Sequence, residues 1–122
     1  MQYGAYKTAL TAVTSTAAGG VLSLANPEGV DLIVKRLILD ITTPSDGAAT
    51  VDAGIAANGT TSSDNLIDGQ SVAAAAVLDN VEDGGTNGQA VIKWGASQYL
   101  TITASATLAG LVGNAYIEWV RV

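Results

Sequence analysis

A single-domain antiparallel β-sandwich of jelly-roll type is the fold this sequence predicts, on three observations. First, β-branched or alternating apolar runs recur at a spacing of about 8–14 residues, giving about eight strands joined by Gly-, Pro-, Asn- and Asp-rich turns of uneven length. Second, 122 residues are enough for one core without disulfide or metal staples, and the chain has no cysteine. Third, no internal repeat of solenoid or propeller period is visible. The domain reading is an N-terminal strand or extended arm over residues 1–13, followed by the sandwich over residues 14–122.

The N-terminal run from Tyr3 to Val13 is apolar and polar by turns and rich in Ala and Thr. Gly19-Gly20 breaks the chain, and Val21, Leu22 and Leu24 open a second run that Asn26-Pro27-Glu28-Gly29 closes as a turn. Asp31 to Thr42 is the strongest element. It is nearly apolar on both faces, interrupted only by Lys35-Arg36, and its β-branched content predicts a central strand. Ala49, Val51, Ala53 and Ile55 alternate with Thr50, Asp52, Gly54 and Ala56, as a half-buried strand requires. Asn58 to Asp64 reads as a polar loop, and Leu66-Ile67-Asp68-Gly69 as a short turn. The run Ala73–Ala76 favours one short helix near 71–80, or an irregular crossover, with Asp68 or Ser71 as cap. Asp79 to Gly88 is an acidic, Gly-rich loop. Strands follow at residues 89–94 and 98–106, the second with Tyr99, Thr101 and Thr103 opposing Leu100, Ile102 and Ala104. The last strand places Ala115, Ile117 and Trp119 on one face and Tyr116, Glu118 and Val120 on the other. Its Ile117, Trp119 and Val120 are expected in the interior, whereas Trp94, just before Gly95, is expected at a sheet edge.

Composition narrows the chemistry. With no His and no Cys, Ser-His-Asp triads and thiol nucleophiles are excluded, and a Ser-x-x-Lys pattern does not occur. The loop Asp79-Asn80-Val81-Glu82-Asp83-Gly84 clusters oxygen ligands, but it fails the EF-hand spacing because Val81 stands third and Ala90 twelfth. A solvated turn is the favoured reading there, and Asp64, Asn65 and Asp68 form a weaker group still. The Gly pairs lack the phosphate-binding pattern and its Lys. No catalytic, cofactor or metal residue is assigned, and the expectation is a protein that is not an enzyme.

The net charge is −6, and the five cations Lys7, Lys35, Arg36, Lys93 and Arg121 are scattered along the chain. That pattern argues against nucleic acid and against anionic membranes, and no apolar run is long enough to span a bilayer. The first residues lack the basic and hydrophobic regions of a signal peptide. Only 13% of residues are charged, which leaves a lone soluble domain poorly protected against association. Part of the surface is therefore expected to be covered by protein. A homo-oligomer follows, a trimer being favoured, and Tyr3 and Tyr6 are the candidate interface anchors. The two Trp and four Tyr leave a second reading open, a carbohydrate-binding β-sandwich module.

Three stretches carry a resemblance. They are Ala49-Thr50-Val51-Asp52-Ala53-Gly54-Ile55-Ala56, Ser63-Asp64-Asn65-Leu66-Ile67-Asp68-Gly69, and Leu111-Val112-Gly113-Asn114-Ala115-Tyr116-Ile117-Glu118-Trp119-Val120-Arg121-Val122. Together they resemble the small head-decoration, or capsid cement, proteins of tailed bacteriophages, over roughly the C-terminal two-thirds of the chain. The resemblance implies a β-rich, often trimeric structural protein on the outer surface of the virion. It would be made in the host cytoplasm and bind the major capsid protein so as to bridge neighbouring capsomers. No catalytic motif comes with it. Another minor head or tail component would share the same sequence features.

Overall fold

The computed structural model describes residues 2–122 as nine antiparallel strands with no helix among the described residues. They are β1 (Tyr3–Ala9), β2 (Leu22–Ala25), β3 (Leu32–Thr43), β4 (Thr50–Ala56), β5 (Ile67–Ser71), β6 (Ala76–Asp79), β7 (Ile92–Trp94), β8 (Tyr99–Ala104) and β9 (Val112–Arg121). One sheet has the order β1-β9-β3-β6, with β7 also on β3; the other has the order β2-β8-β4-β5. The chain passes from sheet to sheet between β1 and β2, β2 and β3, β3 and β4, and back again, which is the double Greek-key connectivity of a jelly roll.

β3 is the central strand the sequence predicts. One side pairs with β9 along its whole length; the other pairs with β7 at Leu32–Val34 and with β6 at Ile38–Ile41. Its register slips between Val34 and Arg36, so Lys35 is an extra residue with no partner on β9. Such a bulge reverses the alternation of faces. Leu32 and Val34 point inward before it, and Leu37, Leu39 and Ile41 after it, all essentially without solvent contact. That phase change is why the sequence looks apolar on both faces.

The bulge also separates β6 from β7, and Asn80 fills the gap. Its backbone N–H donates to the Leu37 carbonyl and its Oδ1 accepts from the Leu37 N–H (2.8 Å). Its Nδ2 donates to the carbonyls of Gln89 and Ala90. The side chain thus satisfies a stretch of ladder that neither short strand reaches, and it is 2% exposed.

Two sequence readings are corrected here. Residues 71–80 are not helical: Ala73 and Ala74 form a bend, all of Ala73–Ala75 are exposed in an irregular crossover from β5 to β6, the other form that reading allowed, and Ala76 already pairs with Ile41. Four alanines are too few to overcome helix nucleation, whereas pairing with β3 and β4 satisfies the flanking backbone. Residues 66–69 are not merely a turn, since Ile67 starts β5 opposite Ala53, and Leu66, Ile67 and Val72 lie in the core.

In β9, Ile117 is fully buried, and Trp119 and Val120 nearly so. Trp94 departs from expectation. β7 is indeed an edge strand, but the indole points inward and is completely buried. It meets Trp119 edge to face at 6.3 Å between centroids, the geometry that aromatic quadrupoles favour. Its Nε1 donates to the Gln98 carbonyl at 3.0 Å. Gly4 is required beside this pair, because a Cβ at that position would collide with the Trp119 indole.

Trp94→Ala is therefore expected to cost about 3–5 kcal/mol, comparable to Trp119→Ala, as read by chemical denaturation. Asn80→Ala removes no large apolar surface yet strands the buried Leu37 N–H, so a loss of about 1–3 kcal/mol is expected in the same measurement.

Candidate functional site

The surface with the most chemistry is the outer face of the five-stranded sheet. Cross-strand partners share a face, and the register places Tyr3 with Val120, Ala5 with Glu118, and Lys7 with Tyr116 on that side. β3 adds Ile33, Arg36 and Ile38, opposite Val120, Glu118 and Tyr116. β7 adds Lys93, opposite Ile33. All five cations lie on strands of this sheet, and none lies on the strands of the other. Scattered in sequence, they converge because β1, β3, β7 and β9 are neighbours.

Three of these cations are neutralised in place, Arg121 by Glu28. Arg36 pairs with Asp79 at 3.6 Å, and Lys93 with Asp31 at 3.1 Å. Lys7 and Lys35 pair instead with rings, Lys7 lying 5.6 Å from the Tyr116 centroid and Lys35 5.7 Å from that of Tyr3. Between them runs a shallow groove of about 380 Å³ lined by Tyr3, Gly4, Ala5, Lys35, Glu118 and Trp119. A second depression, of about 250 Å³, continues along Lys35, Arg36, Ile38 and Glu118. Lys35 reaches both because the bulge turns it outward.

One end of this face is held by a carboxylate. Glu28, in the turn after β2, accepts hydrogen bonds from Trp119 Nε1 and Arg121 Nε, and Arg121 also donates to the Gln2 side chain. The start of β1, and with it Tyr3, is thereby fixed to the end of β9. Asn26 shapes the same turn, accepting from the Glu28 and Gly29 N–H groups and donating to the carbonyls of Val30, Trp94 and Gly95.

The sequence-predicted anchors are placed differently from each other. Tyr3 (66% exposed) stands on the outer face at the groove. Tyr6 (42% exposed) pairs with Ile117 and so lies on the core-facing side, at the margin of the sheet. The two rings belong to one strand but not to one patch. The first two stretches that carry the resemblance do meet: Asn65 grips Ile55 through its N–H (2.8 Å) and carbonyl (3.1 Å), packed over Gly54.

The acidic segments are occupied internally. Asp79 Oδ1 accepts from the Val81 and Glu82 N–H groups, and Asp83 Oδ2 from that of Asp79. Asp68 and Asp64 both accept from Asn87. Among the described residues no group of three acidic side chains is placed to hold a metal ion. No protein-family model, curated protein or solved structure matches the chain.

Three carboxylates titrate away from their ordinary values. Glu28 is lowered, first by the Trp119 hydrogen bond, against a smaller burial effect, with Arg121 adding to the lowering. Asp31 is lowered by its hydrogen bond to Lys93 and by the Ala96 N–H. Asp52 is raised, chiefly by burial, with the charges of Asp64 and Asp68 adding to the shift against the Gly69 N–H bond. The signs differ. Stability from Glu28 and Asp31 is present above their ordinary values of 4.5 and 3.8 and is lost as pH falls through the lower folded values. Asp52 takes up protons more readily folded than unfolded, so its contribution declines as pH rises from 3.8 through its raised value.

Glu28→Gln is accordingly expected to lower the melting temperature at pH 7 and to converge on the parent in acid. Asp52→Asn, which keeps an acceptor for Gly69, is expected to raise it slightly at pH 7, with the gain vanishing near pH 3.

Proposed function

We propose that this chain is a structural, non-enzymatic virion protein that decorates the outer surface of a phage capsid. It binds the major capsid protein and bridges neighbouring capsomers as a homo-oligomer, a trimer being the state the resemblance implies. The observation that carries the reading is the outer face of the five-stranded sheet. It is broad, shallow and fixed at one end by Glu28, and it presents Lys7 and Lys35 without carboxylate partners beside exposed Tyr3. Such a face suits an extended protein surface bearing acidic groups better than a small substrate, which needs an enclosed site. Many copies, each adding a modest contact, would stiffen a shell by avidity.

The carbohydrate-binding alternative loses its best platforms. Both tryptophans are interior, and each indole N–H is already bonded, to Gln98 and to Glu28. Tyr3 alone among the groove's aromatic residues is open to stack on a sugar.

Purified particles lacking the protein should bind it at a fixed ratio to the capsid subunit, with resistance to heat or osmotic shock rising on binding. Lys35→Glu should lower occupancy about tenfold without changing the fold, and added salt should weaken the parent's attachment. Recovery of none on particles, together with strong binding by the isolated protein on a glycan array, would overturn the reading.

A further inference from the structure

The free edge of β1 is the feature left unused by the docking face. Its hydrogen-bond phase is fixed at both ends. The Arg121 N–H donates to the Gln2 carbonyl, and the Leu10 N–H to the Gly113 carbonyl. In an antiparallel ladder the bonded residues alternate, so even-numbered residues turn their backbone groups toward β9. The N–H and C=O groups of Tyr3, Ala5, Lys7 and Ala9 then point outward, where β1 has no neighbouring strand among the described residues. Apart from Lys7, the devices that blunt an edge are missing. β1 runs seven residues in unbroken register with β9, without a bulge, a proline or more than one charge.

We infer that β1 pairs with β1 of a second copy, antiparallel about a two-fold axis at Ala5, joining the two five-stranded sheets into one. The segment Tyr3-Gly4-Ala5-Tyr6-Lys7 is self-complementary in that register. Outward-pointing residues must face outward-pointing residues, which sets Tyr3 against Lys7 of the other copy and Ala5 against its own counterpart. On the outer face this continues the cation–ring contacts already present within one copy, so that Lys35, Tyr3, the other copy's Lys7 and its Tyr116 form one alternating row. On the core-facing side each Tyr6 falls opposite Gly4, against the rim of the Trp119 indole that overlies that glycine. In one direction, a slip of two residues would set Lys7 against Ala5 and lose the Tyr3–Lys7 contacts, and a slip of four would set Lys7 against Lys7, which like-charge repulsion disfavours. The pairing joins backbone edges, with Tyr3 and Lys7 of the outer face beside the seam, and does not rest on the virion role.

Light scattering on the isolated protein at about 10–100 µM, a range covering micromolar contacts, tests it without any capsid. The parent should have a mass that is an even multiple of the 12.2 kDa chain, two copies for this pairing alone or six where it joins two trimers. Ala5→Pro deletes an outward N–H but no bond to β9, and should halve that mass at an unchanged melting temperature. Tyr3→Lys should weaken the association about tenfold by opposing lysines, and Tyr3→Lys with Lys7→Glu should restore it. The charge pair decides the matter should Ala5→Pro fail to fold. A parent that stays monomeric over this range, a mass that a folded Ala5→Pro leaves unchanged, or a Tyr3→Lys defect that Lys7→Glu does not repair would each overturn the inference. Because no particle is present, failure here leaves the capsid-binding result standing, and the reverse.

Discussion

The bulge between Val34 and Arg36 on β3 is the backbone feature on which most of this molecule depends. One unpaired residue lets a twelve-residue strand send Leu32 and Val34 into the core, then Leu37, Leu39 and Ile41, while bending enough to serve two short partners. The same residue, Lys35, is delivered to the outer face, where it reaches both grooves and the Tyr3 ring. The break it leaves on the opposite side is closed by Asn80, whose side chain acts as a missing rung of ladder. Core phase, surface charge and strand order are consequences of a single insertion.

The second organising contact lies at the end where the two tryptophans meet. Trp94 and Trp119 come from strands on opposite sides of β3, and each spends its polar atom on a loop: Trp94 on Gln98, Trp119 on Glu28. A buried indole with an unmet N–H would be costly, so these bonds let two large rings enter a core otherwise built of Leu, Ile, Val and Ala. Glu28 then carries the order outward through Arg121 and Gln2 to the start of β1. Interior packing and the position of an exposed tyrosine are mechanically joined there.

The distribution of charge gives the two sheets different characters. β2, β4, β5 and β8 carry no cation, and beside them Asp52 has its pKa raised, chiefly by burial, with the charges of Asp64 and Asp68 adding to the shift. The other sheet holds every cation, three of the five offset by nearby carboxylates and the other two resting on tyrosine rings. A chain of net charge −6 can thus present one face suited to acidic partners.

Local pattern alone determined the β class, the alternation of 49–56 and the inward set of the last strand, each a period-2 signal within a few residues, and the central strand at 31–42, read from its β-branched apolar run. Pattern also misjudged what depends on distant partners. Ala73–Ala76 has helical propensity, but β3 and β4 supply better bonds for its neighbours; Leu66 and Ile67 look like a turn until β4 covers them. Trp94 sits beside a glycine turn, yet Trp119, more than twenty residues away in sequence, makes its site a core. Of the candidate site only Tyr3 was legible, since Tyr6, named with it, lies on the core-facing side of β1. Lys35 with Glu118, and Asn80 with Leu37, were invisible because no local rule reports which strands become neighbours. Secondary structure here is written in short-range alternation, whereas the surface is assembled by jelly-roll connectivity, and only the tertiary fold brings residues so far apart in the chain onto one face.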